Sequence, residues 1–138
     1  KSYKEILIEK FIPGREIQAA ILGNKKLGAI ELKPKRKFYD YEAKYNVKAK
    51  TKHIIPVDLS KKKFDELMKI SLMVHNLLGC RGVTRSDFKY YKNKFYLLET
   101  NTQPGMTKLS LVPEICMHKG ISFIKLIKLL LSDASTNK

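Results

Sequence analysis

Gly82-Val83-Thr84-Arg85-Ser86-Asp87-Phe88-Lys89-Tyr90-Tyr91, then Lys92-Asn93, then Lys94-Phe95-Tyr96-Leu97-Leu98-Glu99-Thr100: two runs rich in aromatic and aliphatic residues meet at a short polar turn. Such runs read as the paired strands of a hairpin, residues 82–91 and 94–100. If the turn takes three residues, 92–94, then Tyr91 faces Phe95 and Asp87 stands directly opposite Glu99. Asn101, two residues past Glu99, shares that face because strand side chains alternate. Like charges opposed across a ladder repel one another. The arrangement makes sense with a cation between them, and two carboxylates plus an amide carbonyl are the hard oxygen donors that magnesium takes. Spacing alone also admits a solvated face on an edge hairpin, and a turn one residue shorter moves Asp87 off this register.

Outward from the hairpin, residues 5–12 read as a strand closed by Pro13-Gly14. Residues 15–22 and 25–32 are β-rich runs separated by Gly23-Asn24, a tight-hairpin signal. Residues 33–52 form a basic, tyrosine-rich stretch without period, which reads as a long functional loop such as an active-site cover. Ser60 can cap a helix in which Phe64, Leu67, Met68, Ser71, Leu72, His75 and Leu78 recur at helical spacing, with Gly79 as its stop. After the second hairpin come a loop over 101–107, punctuated by Pro104-Gly105, and two helices. One helix lies around 112–118; the other is capped by Ser122 and runs to 131. There is no internal repeat and no linker, so residues 1–138 form one domain. Its expected class is α+β, a mostly antiparallel sheet with helices packed on it.

Composition narrows the functional classes. The formal charge of +15 is a usual footprint of nucleic-acid binding. Of the 28 basic residues, however, only Arg15, Arg36, Arg81 and Arg85 are arginines. Base readout favours arginine, and single-strand binding needs stacked aromatics beside the charge, so the balance argues for a solvated lysine surface. No apolar run approaches the roughly 20 residues that span a bilayer. Cys80 and Cys116 lie far apart without a CxxC pattern, as reduced cytoplasmic thiols do. His53, His75 and His118 have no metal-ligand spacing and read as structural or surface residues. The sequence opens on Lys1-Ser2-Tyr3, without Met or signal pattern, and soon enters the apolar run Ile6-Leu7-Ile8, an expected start inside a larger protein.

The segment Glu99-Thr100-Asn101-Thr102-Gln103-Pro104-Gly105-Met106-Thr107, preceded by Arg85-Ser86-Asp87, resembles the metal-binding segment of the ATP-grasp ligases. Within them it looks most like the D-alanine–D-alanine ligases of bacterial wall synthesis. Phe38-Tyr39-Asp40-Tyr41-Glu42-Ala43-Lys44-Tyr45 is similar to the mobile loop of that family, and Glu9-Lys10-Phe11-Ile12-Pro13-Gly14-Arg15-Glu16 to its nucleotide-edge segment. Gly79-Cys80-Arg81-Gly82 and Ser110-Leu111-Val112-Pro113 fit as well, so the likeness runs from about residue 3 to 131.

The resemblance implies a fold, the C-terminal ATP-grasp domain, and a reaction. One D-alanine carboxylate takes the γ-phosphoryl group of ATP, the amine of a second D-alanine attacks the acyl phosphate, and phosphate leaves. It implies two Mg2+ ions, replaceable by Mn2+, with Asp87 and Glu99 on one and Glu99 and Asn101 on the other. It makes Arg85 and the Gly105 N–H oxyanion donors, and Glu9, Lys10, Ile12 and Glu16 the lining of the adenine and ribose pocket. Lys44 corresponds to a lysine reaching the transferred phosphate, and Tyr45 to a loop latch. Tyr39, Ser110 and Leu111 correspond to groups around the second D-alanine carboxylate. The partners implied are D-alanine, the N-terminal half of the same ligase and a second copy in a full-length homodimer, in the cytoplasm, with neither nucleic acid nor membrane. That N-terminal half, with the first D-alanine pocket and the phosphate-gripping lysines, has no counterpart here. The rival within the ligases is D-alanine–D-lactate ligase, against which Lys44-Tyr45 speaks. The rival outside them is a non-catalytic basic binding module.

Overall fold

The computed structural model describes residues 4–33, 51–107 and 109–134. Five antiparallel strands form one sheet: β1 (Arg15–Leu22), β2 (Lys25–Lys33), β3 (Lys52–Ile54), β4 (Val83–Tyr91) and β5 (Lys94–Asn101), in the order β3-β2-β1-β4-β5. Among the described residues three helices pack on it, α1 (Lys61–Leu77), α2 (Leu111–His118) and α3 (Phe123–Asp133). The α+β class expected from the pattern is the one observed.

Each face of the sheet carries its own core. Ile17, Ala19, Ile21 and Ala29 join Phe88 of β4 on one side, where Leu67 and Met68 of α1 and the loop residue Val57 cover them. Ala20, Ile30 and Leu32 point the other way, against Leu111, Val112, Ile115 and Cys116 of α2 and Leu126 of α3. Strand alternation makes this division, since odd and even positions of β1 face opposite layers. The α2/α3 layer covers one part of its face. The rest, along β1, β4 and β5, carries Glu16, Gln18, Arg85, Asp87, Lys89, Glu99 and Asn101, placed together by the register pairs Glu16↔Lys89, Gln18↔Asp87, Asp87↔Glu99 and Arg85↔Asn101.

Local signals explain the element ends. The Ser60 hydroxyl accepts from the Lys63 amide at 3.3 Å and caps α1. At the other end Gly79 takes φ 62°, with Cys80 N–H donating to the His75 carbonyl and Gly79 N–H to that of Asn76, the paired bonds of a Schellman stop. Gly14 is required for a different reason. Its φ is 113°, and a Cβ there would come within 2.4 Å of the Tyr90 carbonyl, so only glycine lets the chain enter β1 this close to β4.

Two expectations are corrected. Residues 5–12 form no strand: Ile6, Leu7, Ile8 and Phe11 are 66–84% exposed, and no described strand pairs with the segment. A strand needs a partner for its backbone groups as much as it needs β-rich composition. The three-residue turn is also replaced. Tyr91 pairs with Lys94 across a two-residue turn whose residues, Lys92 and Asn93, have φ of 46° and 65°. The short strand β3, at the end of what reads as loop, is an element the periodicity did not show.

Candidate functional site

The shorter turn alone would displace Asp87 from Glu99. The register slips by one between Phe88, opposite Leu97, and Asp87, opposite Glu99, so Leu98 is the extra residue of a β-bulge. The bulge restores the opposition of the two acids. They differ in setting, since the Asp87 side chain is 9% exposed and that of Glu99 is 62% exposed.

A cation already lies between them. Arg85 grips Asp87 with both forks, Nε to Oδ1 at 2.8 Å and Nη2 to Oδ2 at 2.9 Å, and the same Nη2 is 4.0 Å from Glu99 Oε1. Burial raises the pKa of Asp87 above its ordinary value; the Arg85 bond and charge oppose this, and the charges of Glu99 and Glu16 add to it. Beside Asp87 on β1, Gln18 is buried, and its Oε1 has no hydrogen-bond partner among the described residues. Farther along, Lys89 Nζ donates to Glu16 Oε2 at 2.9 Å. The Asn101 side-chain oxygen accepts from the Gln103 amide at 2.9 Å, which turns the chain into the following loop.

In that loop the Ser110 hydroxyl accepts from the Thr107 amide at 3.0 Å and bonds Thr107 Oγ1 at 2.9 Å. It makes no cap for α2, which it precedes. Gly105 packs against it, and a Cβ there would lie 2.9 Å from Ser110 Oγ. The Leu111 side chain belongs to the core, so only its backbone can face a ligand.

Of the residues singled out in the sequence, Glu16, Arg85, Asp87, Glu99 and Asn101 thus share one sheet face, and Gly105 touches Ser110. Glu9 and Lys10 are exposed and Ile12 half-buried on the irregular segment before β1. Tyr39, Lys44 and Tyr45 lie outside the described residues. Lys89, Gln18 and the buried Glu31, gripped by Arg15 at 3.0 and 2.6 Å, carry no local motif and emerge only from strand pairing.

The other candidate chemistries are quiet. His75 is buried with Nδ1 2.8 Å from Thr84 Oγ1, and burial lowers its pKa. His53 pairs with Glu114 at 2.7 Å. Burial pushes the Cys116 thiol up to about 11, which leaves it inert at neutral pH. Among the described residues, no three His, Cys, Asp or Glu side chains cluster as a metal site, and no helix is long and apolar enough to cross a membrane. With Asn101 included, the acid face nonetheless has the donor chemistry of a hard divalent cation: oxygen only, two carboxylates, one of them open to solvent.

The family model described as D-ala D-ala ligase C-terminus matches residues 1–132. The chain belongs to that family. It is 71% identical over its whole length to a D-alanine–D-alanine ligase of Pelagibacter ubique, of which it covers 45%. A D-alanine–D-alanine ligase of Rickettsia bellii is 47% identical over 95% of the chain, which covers 41% of that protein. The crystal structure of the Bacillus anthracis D-alanine–D-alanine ligase complexed with ATP superposes with a TM-score of 0.76 at 32% identity, over 91% of this chain and 41% of that one. The fold is accordingly that of the ATP-grasp C-terminal domain of these ligases. The chain spans less than half the length of the relatives it matches.

Proposed function

We propose that this chain carries the nucleotide- and cation-handling part of an enzyme that joins two D-alanines at the expense of ATP. What supports the reading above all is the opposition of Asp87 and Glu99, with Asn101 on the same face, in a member of the D-alanine–D-alanine ligase family. Asp87, Glu99 and Asn101 would hold Mg2+, or Mn2+ in its place, as two ions. When bound, the ions would offset charge on the phosphates.

The chain's own residues have separable tasks in this account. Arg85 orients the buried Asp87 and opposes the burial that raises its pKa, and the same guanidinium is the donor to the developing oxyanion in this reading. Gly105, lacking a side chain, leaves its N–H accessible beside Ser110 and serves the same oxyanion. Ser110 and the Leu111 backbone receive the carboxylate of the second D-alanine, with Tyr39. Glu16 accepts from ribose hydroxyls; Glu9, Lys10 and Ile12 border the adenine. Lys44 reaches the transferred phosphoryl group, and Tyr45 latches the loop over it. The first D-alanine pocket and further phosphate-binding lysines belong to the region of the longer relatives that this chain does not match. The complete cytoplasmic enzyme is a homodimer in this reading.

Positioning both reactants supplies much of the acceleration in such a reaction. Residues 1–138 alone should therefore bind Mg-ATP weakly and release no D-alanine-dependent phosphate, while the complete polypeptide carrying them should form D-alanyl-D-alanine. The test is phosphate release with D-alanine and D-lactate offered in parallel. Preference for D-lactate as the second substrate would overturn the substrate assignment, and full turnover by residues 1–138 would overturn the division of tasks.

A further inference from the structure

We infer that Lys89 is a positioning residue of the nucleotide site, holding Glu16 in the orientation that selects a nucleotide with both ribose hydroxyls. The inference rests on the reading of Glu16 as the ribose acceptor and adds a residue to which no family motif pointed.

Three observations carry it. Lys89 and Glu16 are directly paired across β1 and β4, and their side chains meet at 2.9 Å on the same face as Asp87 and Glu99. Both are mostly shielded, at 21% and 15% exposure, so the pair is held by the surrounding sheet and is not a mobile surface contact. Lys89 engages only Oε2; no other described side chain or backbone group hydrogen-bonds to the Glu16 carboxylate, which leaves Oε1 to a ligand.

The electrostatics give the pair its purpose. Glu16, Asp87 and Glu99 put three carboxylates along one face, and the charge of Glu16 is felt at Asp87. A triphosphate approaching that face meets repulsion unless each acid has a counter-charge. Arg85 serves Asp87 and Glu99; Lys89 serves Glu16. With one oxygen tied to the ammonium, the carboxylate plane is fixed and the other oxygen points at a set place. A fixed acceptor discriminates between ligands that differ by one hydroxyl, whereas a freely rotating carboxylate adapts to either.

The experiment compares ATP with 2′-deoxyATP, each with magnesium, in the complete polypeptide, using KM and kcat together with direct binding. Lys89→Met should raise the KM for ATP about tenfold, as loss of one charge-assisted bond does. It should change kcat far less and bring the ratio of ATP to 2′-deoxyATP affinity toward one. Lys89→Arg, which can re-form the ion pair, should keep most of the preference. Thermal melting establishes that each variant is folded, and Lys89→Gln replaces Lys89→Met if the latter is not. An unchanged nucleotide ratio in the folded neutral variant overturns the role of Lys89. A different pattern exposes failure of the underlying reading: wild-type protein that does not distinguish the two nucleotides, or Glu16→Gln without effect on KM, removes Glu16 from the ribose site whatever Lys89 does.

Discussion

Asp87 faces Glu99 across the β4–β5 ladder because Leu98 is an extra residue in β5. The two-residue turn and the bulge are each worth one position of register, and their effects cancel. The paired acids therefore depend on a tight turn that places a lysine, Lys92, at φ 46°.

That turn is open to improvement. A non-glycine residue in the left-handed region is strained by about 1 kcal/mol, and asparagine tolerates it best. Lys92→Asn should stabilise the protein by about 0.5–1 kcal/mol, seen as a rise of about 2–4 °C in melting temperature. Glu99 should remain opposite Asp87, since the turn length is unchanged. A fall in melting temperature would mean that Lys92 makes a stabilising contact that outweighs its backbone strain.

Gln18 offers a second stability test. Its buried Oε1 has no partner among the described residues, and an unsatisfied buried acceptor costs about 1–3 kcal/mol. Gln18→Met keeps the shape and removes the polar atom, so the urea midpoint should rise by the equivalent of about 1 kcal/mol. A lower midpoint would show that the amide is satisfied in solution.

How much of this was legible in the residues themselves depends on the range of the interaction. The α1 cap at Ser60, the Gly79 stop and the Gly23-Asn24 hairpin are short-range signals, and the elements end where these signals place them. Residues 5–12 have strand composition but no described partner strand, and composition cannot announce a missing neighbour. The acid pairing was expected through a three-residue turn and is achieved through a two-residue turn and a bulge, which no local pattern around Leu98 marks. Lys89 and Gln18 became visible only when β1 was seen beside β4, strands separated in sequence by α1. Glu16, Arg85 and Asn101, by contrast, stood out through the family motifs.

His75 should impose a pH dependence on stability. Burial lowers its pKa from an ordinary 6.5, so the unfolded chain binds a proton that the folded chain refuses. Its contribution is fully present above pH 6.5 and is lost as pH falls toward the lowered folded value. The slope attributable to this one group is at most about 1.4 kcal/mol per pH unit. Urea midpoints between pH 7 and 5 should fall less steeply in His75→Gln, and equal slopes would show that His75 protonates without penalty.

Removing the bridging acid should separate chemistry from folding. Glu99 is largely exposed, so Glu99→Gln should leave stability within about 0.5 kcal/mol. In the proposed site Glu99 serves both ions, so its loss should cut D-alanine-dependent phosphate release in the complete polypeptide by at least about a hundredfold. Retention of near-normal turnover in this variant would remove Glu99 from the reaction.

The most direct test of the acid face is crystallographic. The complete polypeptide would be crystallised with Mn2+ and a non-hydrolysable ATP analogue, and anomalous scattering measured at the manganese edge. The account predicts two peaks, one contacted by Asp87 and Glu99 and the other by Glu99 and Asn101, with ligand distances of about 2.1–2.2 Å. Manganese bound elsewhere, with Arg85 still paired to Asp87 as it is here, would contradict it.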